Sequence, residues 1–333
     1  MTSERYAFQR YLLMTLDPVH PGAGGYRLGR VDLSIAREPG TRLPKIPGSS
    51  LHGAARAYAA YLYGTPEAAG QSQEKIDNPA QNPICYTFGY LKGKAMSSGV
   101  VNLFDARILL FPVHSMRGPV WVSTMGRLRE AGFQNVPDGE PAEGACRTTF
   151  AHSGKLNLGW LMLNAEQQQV SITAPQDWQK EQWQAVQNHI VLVPESLFSP
   201  IVNSNLEVRT SVSINPQTGA AAEGELYTYE AIPRATFLTA EVVLDDFSHD
   251  KQDKRPQFPI QKTAQNSDLP GGAWQGPLDV VRAGLKMMEY LGVGGMGTRG
   301  FGRIQIVGKP AAKKQDDIFK SLNCKEGQDE PAK

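Results

Sequence analysis

Three stretches of the chain gather residue types suited to holding or attacking an anion. The first is Pro44-Lys45-Ile46-Pro47-Gly48-Ser49-Ser50-Leu51-His52-Gly53-Ala54-Ala55-Arg56, where prolines and a glycine stiffen and turn the backbone. Ser49 and Ser50 then stand where a helix cap is expected, and Leu51, Ala54, Ala55, Tyr58 and Leu62 fall on one helical face. His52 and Arg56 are neighbours on another face, four positions apart. A helix start offers unpaired N–H groups and a partial positive charge, which suits a phosphate. The same residues also fit an ordinary capped amphipathic helix.

The second stretch, residues 295–300, reads G-x-G-x-x-G. As a dinucleotide fingerprint it would have to follow a strand and open a helix. Here the order is reversed. A helix opened by Pro277, with Val280, Val281, Leu285, Met288 and Leu291 on its apolar face, comes before it, and a strand over 301–307 comes after. The fingerprint is therefore excluded. What remains is a turn, or a loop whose backbone N–H groups and Arg299 can approach a phosphate chain.

The third is Asp32, in a long loop with His20, Tyr26, Arg27, Arg30, Arg37 and Glu38. A carboxylate among arginines is either a turn or cap residue or a group that reaches phosphate through a cation. None of the six histidines has metal-ligand spacing, and none stands beside a Ser or Cys in a nucleophile elbow.

The elements that position these groups follow from periodicity. Residues 10–16 alternate as a half-buried strand, and 237–244 form another. "VVNLFDARILLFPV" gives one or two buried strands, with Asp105 and Arg107 placed to pair across the sheet. A further strand is expected at 118–124 and a hairpin at 160–163 with 169–173. Asp177 is placed to cap a helix carrying Trp178, Trp183, Val186 and Ile190, with the tryptophans in the core. Residues 208–214 and 226–232 form a hairpin with a long tip at "NPQTGAAAEGE". Residues 64–99 read as an insertion with little core, and 309–333 as a charged, disordered tail.

The order "VHPGAGG…VDLSIAREPGTRLPKIPGSSLHGAAR", "FDARILLFPVHS", "RTSVSINPQTGAAAEGELYTYEAIP" and "GGMGTRGFGRI" resembles the RAMP superfamily, specifically the backbone subunits of type III CRISPR effector complexes, of type III-B kind. Together the signatures span most of residues 10–306. The family usually carries Lys where this chain has His52. The resemblance implies an α+β fold: a ferredoxin-like, RNA-recognition-type palm with insertions and a protruding β-hairpin thumb. It would form a single domain over 1–308, with the insertion at about 64–99, the thumb at about 208–232 and the glycine-rich loop at 292–302.

For function, the resemblance implies a subunit that binds CRISPR guide RNA and cuts complementary target RNA at regular intervals, the thumb tip at 214–224 wedging into the duplex. Partners would be other RAMP and large subunits and neighbouring copies in a helical filament. Asp32 would be catalytic and would ligate a divalent metal, Mg2+ or Mn2+; His20 matches the family's loop His. Glu225, Tyr227 and Glu230 at the thumb base are secondary catalytic candidates. RNA binding would fall to Ser49, Ser50, His52, Arg56, Gly295, Gly297, Thr298, Arg299 and Arg303. Three other readings stay open: a backbone subunit that binds guide RNA without cutting, a RAMP endonuclease that matures guide precursors, and an enzyme unrelated to RNA.

Composition bounds these readings. The 333 residues, 41% of them hydrophobic, suffice for one large domain with insertions or two small ones. No apolar run approaches the ~20 residues that span a bilayer. Met1-Thr2-Ser3-Glu4-Arg5 leads into no apolar segment, so no secretory signal is expected. Cys85, Cys146 and Cys324 lie far apart, which argues against a cysteine-rich zinc site or a disulfide scaffold and fits a reducing cytoplasm. With 34 Lys and Arg against 33 Asp and Glu, any nucleic-acid surface must come from clustering rather than from net charge.

Overall fold

A computed structural model describes residues 5–23, 31–214, 221–247 and 274–322, with Gln217, Gly219 and Phe258. The alternating segment near the N-terminus forms the strand Tyr6–Thr15, the second strand from one end of the large sheet. On one side it pairs antiparallel with Phe237–Asp245, and on the other with Ile304–Ile306 and Ala311–Lys314. Phe237–Asp245 pairs onward, also antiparallel, with Ala106–Ser115. In chain order this unit runs strand Tyr6–Thr15, helix Gly48–Leu62, strands Ala106–Ser115 and Phe237–Asp245, helix Pro277–Leu291 and strand Ile304–Ile306. In space the strands follow the order fourth, first, third, second.

The two helices lie against one another, and Leu51, Ala55, Ala59, Val280, Val281, Leu285 and Met288 join the main core. Gly284 permits their close approach: a Cβ there would fall 2.2 Å from the Ala55 carbonyl oxygen. Beyond Ala106–Ser115 the sheet continues through Gly118–Ser123, Ile190–Leu192, Ala145–Thr148, Leu161–Ala165 and Gly154–Leu158. A second core packs here around Trp178, Trp183, Phe133 and Leu128, so the tryptophans are core residues as their spacing suggests.

Several local expectations are corrected. The segment 64–99 does contribute core: helix Pro83–Phe88 is buried along its whole length, capped by the Asn82 side chain. Leu161–Ala165 pairs with Gly154–Leu158, not with 169–173, because Gly159 at φ 63° closes a tight turn between them. Asp177 lies in the short 3-10 turn Gln176–Trp178, and helix Glu181–Val186 starts after Lys180. Asp105 and Arg107 do not pair. Asp105 binds Lys45 at 2.5 Å, while Arg107 faces Glu38 and Glu130. The tail is ordered at first, as strand Ala311–Lys314 and helix Gln315–Leu322; 323–333 lie outside the described residues.

Glu207–Ile214 and Ala221–Ala231 form a two-stranded sheet of their own, apart from the large one. Val208, Val212 and Leu226 on this hairpin are exposed. Asn215, Pro216, Thr218 and Ala220 of its tip, like Tyr26, Arg27 and Arg30, fall outside the described residues. Among the described residues no helix is long and apolar enough to cross a membrane.

Candidate functional site

At the root of the hairpin three parts of the chain meet: residues 17–23 with 31–37, the returning strand Ala221–Ala231 and the glycine-rich loop after helix Pro277–Leu291. The returning strand joins them through its pleat, because successive side chains point to opposite faces. Thr228 and Glu230 reach the Asp32 loop, whereas Tyr227 and Tyr229 pack toward the glycine-rich loop.

Asp32 is exposed, and its Oδ2 accepts from the Thr228 backbone N–H at 2.7 Å and from Thr228 Oγ at 2.9 Å. The backbone N–H of Asp32 donates to the same hydroxyl at 3.1 Å. Leu33 continues the contact, donating to the Thr228 carbonyl and pairing with Tyr229. The Thr228 N–H, and then its hydroxyl, hold the Asp32 carboxyl below its ordinary range, so it is ionised at neutral pH.

Glu230 has a different place from the one expected. It is buried, and Arg37 donates to its two oxygens end-on, from Nη1 at 2.5 Å and Nη2 at 2.8 Å, while the Ile35 N–H donates to it at 2.9 Å. This carboxylate is committed to an ion pair inside the protein and is not presented to a ligand. His20 is also buried, at 6% exposure. Its Nδ1 lies 2.7 Å from the Glu230 carbonyl oxygen, which can only accept, so Nδ1 carries a proton and donates it there. The His20 carbonyl accepts from the Gly295 N–H at 2.9 Å. Gly294 must be glycine for this contact: its φ is +88°, and a Cβ would fall 2.7 Å from the His20 carbonyl oxygen.

Gly295, Gly297, Thr298 and Arg299 are exposed on the glycine-rich loop. The Arg299 guanidinium stands over the Tyr227 ring, 5.3 Å from its centroid, with both groups beside the hairpin root. Beneath them Tyr229 and Phe301 meet edge to face at 5.5 Å in a small apolar cluster with Leu33 and Met296. Arg303, expected at RNA, is bound to Asp17 at 2.5 and 3.3 Å, and that carboxylate raises its pKa. Glu225 lies on the returning strand, nearer the tip than Tyr227.

The Pro44–Arg56 stretch departs further from expectation. Helix Gly48–Leu62 has Pro47 as its N-cap residue and no side-chain cap, so Ser49 and Ser50 sit in its first turn. The Gly48 N–H instead donates to Asp105 Oδ1 at 2.7 Å, placing a carboxylate at the helix end that had suggested a phosphate. Arg56 donates to the Ala68 carbonyl through Nε and Nη2, at 2.9 and 2.7 Å, and to the Gly89 carbonyl at 3.0 Å. It therefore fastens the 64–99 segment to the helix rather than facing outward. His52 packs edge-on against Phe88, and burial followed by the Arg56 charge lowers its pKa, leaving it neutral.

Among the described residues no group of three or more His, Cys, Asp or Glu forms a metal cage. Asp32, exposed and ionised, suits the other mode of hard-cation binding, in which one carboxylate anchors the ion and water and substrate phosphate complete it. Sequence reasoning missed Thr228 and Asn203, and it placed Arg37 in the Asp32 loop without its partners Glu230 and Asn203, the latter accepting from Arg37 Nε at 2.9 Å. Period-two alternation along 227–230 was the available signal for Thr228.

The chain belongs to the RAMP superfamily, whose sequence pattern matches residues 12–305. Over 250 residues it is 28% identical to the CRISPR system Cmr endoribonuclease Cmr4 of Pyrococcus furiosus, spanning 70% of this chain and 80% of that protein. Its fold matches a chain of the type III-B Cmr-beta complex bound to cognate target RNA, with TM-score 0.59 and 13% identity over 91% of this chain and 96% of that one. It also matches oligomeric Cmr4 from Pyrococcus furiosus, with TM-score 0.53 and 20% identity over 93% of this chain and 99% of that one.

Proposed function

We propose that this chain is a backbone subunit of a type III-B-like CRISPR effector complex in the cytoplasm. It holds guide RNA, stacks with neighbouring copies and with other RAMP and large subunits, and cleaves guide-paired target RNA at regular intervals. Superfamily membership and the similarity to Cmr4 support the class. The strand order fourth, first, third, second, with a helix in each crossover, supports a ferredoxin-like palm. One observation carries the nuclease reading: Asp32 is tied through Thr228 to the root of the hairpin. A hairpin wedged into a guide–target duplex brings the disturbed nucleotide step to its own base, and an ionised carboxylate stands there.

Asp32 orients the ribose 2′-OH toward the adjacent 3′ phosphate. The 2′-oxygen–phosphorus bond forms as the bond to the 5′-oxygen breaks, giving a 2′,3′-cyclic phosphate and a 5′-OH with no water consumed. Arg299 and the exposed N–H groups of its loop hold backbone phosphate. His20, Glu230 and Arg37 fix the loop and strand that carry Asp32. A divalent cation, Mg2+ or Mn2+, held by Asp32 would offset the charge between carboxylate and phosphate when bound.

The test is the assembled complex carrying Asp32→Asn, assayed on a matched target. Retained binding with loss of spaced cutting supports the reading, and cutting at full rate overturns it. A second reading, a guide-binding subunit that does not cut, is favoured by one fact: both Thr228 donors converge on Asp32 Oδ2, as in a purely structural tie.

A further inference from the structure

Gly159 and Trp160 form the turn between strands Gly154–Leu158 and Leu161–Ala165, and the Trp160 side chain is 72% exposed. The turn lies beside the end of strand Ala106–Ser115. The Gly159 N–H donates to the His114 carbonyl at 3.0 Å, and the Met116 N–H donates to Asn157 Oδ1 at 2.6 Å. Next to Met116, Arg117 holds its guanidinium 5.9 Å from the Phe150 ring. The His152 and His189 rings flank Phe150 at 6.3 and 6.5 Å, and the Lys155 carbonyl lies 3.1 Å from His152 Nε2. Arg117, Lys155 and His189 are exposed.

Charge is sorted here. The segments 106–129, 144–165 and 182–194, which supply this surface, contain no Asp or Glu, although the chain as a whole is nearly balanced at +1. A surface carrying exposed Arg117, Lys155 and His189 beside an exposed indole suits phosphate and unstacked bases together. The surface also adjoins the hairpin root. Gly159 is turned against Asn205, where a Cβ would fall 2.4 Å from the Asn205 side-chain oxygen, and strand Glu207–Ile214 starts just after Asn205.

We infer that this surface is a second RNA contact, which stacks one base of single-stranded RNA on Trp160 and holds the adjoining phosphates with Arg117 and Lys155. It rests on the reading that the chain binds RNA, but it uses residues separate from Asp32 and Arg299. The test is the anisotropy of a short fluorescein-labelled oligouridine titrated with the full chain across a salt series. Trp160→Ala should weaken binding roughly tenfold, the scale of one lost stacking contact. Arg117→Gln with Lys155→Gln should lower the salt slope by about 0.7 per cation removed. Arg299→Ala is measured in parallel. If it weakens binding while the other variants do not, this inference fails and the RNA reading stands. If none of the variants matters, both fail. Altered sedimentation of Trp160→Ala with unchanged RNA affinity would make the surface a protein contact and overturn the inference.

Discussion

Arg37 and Glu230, 193 positions apart in sequence, meet as a two-pronged ion pair at 2.5 and 2.8 Å. The pair joins the loop that carries Asp32 to the strand that carries Thr228. Its side chains are only 14% and 10% exposed. Removing one partner of such a pair leaves the other charge buried and unmatched. Glu230→Ala is therefore expected to cost about 3 kcal/mol, measured by urea unfolding. The loss should be largely shared with Arg37→Ala in a double-mutant cycle, since each change breaks the same contact.

Arg56 and Arg299 separate packing from binding. Arg56→Met removes charged donors from the Ala68 and Gly89 carbonyls and should cost about 2 kcal/mol of stability. It should leave the salt slope of guide RNA binding unchanged. Arg299→Ala should do the reverse, lowering the slope by about one with the melting temperature held. A slope change in the Arg56 variant, at constant fold, would return that residue to the interface.

What the sequence disclosed depended on how far away each residue's partner lies. Strands Tyr6–Thr15 and Phe237–Asp245, helix Pro277–Leu291 and the hairpin show their period locally, and all are legible. The four-position spacing of His52 and Arg56 was read correctly as two neighbours on one helix face, yet nothing local shows that Arg56 is bound by carbonyls at positions 68 and 89. Ser49 and Ser50 were plausible caps until Asp105, 57 positions from Gly48, took that end of the helix. The strand at 160–163 was expected to pair forward with 169–173, and the Gly159 turn instead folds Leu161–Ala165 back onto Gly154–Leu158. The Asp32 site was visible mainly through family resemblance; the Thr228 tie that positions it spans 196 positions.

The hairpin pairs with itself and meets the rest of the chain at its root through contacts such as Leu33 to Tyr229 and Val19 to Ile232. Shortening its tip to Asn-Gly should leave the melting temperature unchanged and guide binding intact while disturbing target cleavage. A fall of several degrees would give the tip a structural role.

Burial raises the thiol pKa of Cys85 from 9.0 to about 11 and that of Cys146 from 9.0 to about 12. For both, the folded value lies above the unfolded one, so the protonated thiol's contribution is full below pH 9 and is lost as pH rises toward the folded values. The urea midpoint should fall with pH above about 9, and less steeply in Cys146→Ala. At neutral pH both thiols should resist a disulfide reagent until the chain unfolds.

Asp32 is the decisive position, because one carboxylate could tie a loop, serve catalysis or do both. If the tie is all it does, Asp32→Asn and Thr228→Val should behave alike: each lowers the melting temperature, and cutting continues at nearly the wild-type rate. If the carboxylate also acts at the scissile step, the variants part. Thr228→Val keeps the backbone N–H contact and the charge and should retain most activity. Asp32→Asn keeps the shape but loses the charge, and should slow cutting by at least about a hundredfold with target affinity preserved. EDTA should reproduce that loss in the wild-type complex. The depressed pKa adds a pH signature, since the ionised form persists well into acid. Asp32 should then contribute no inflection to the cleavage rate between about pH 5 and 8. Matched cleavage and binding assays on the two assembled variants distinguish the cases, and equal rates in both would move the catalytic role to His20 or to another subunit.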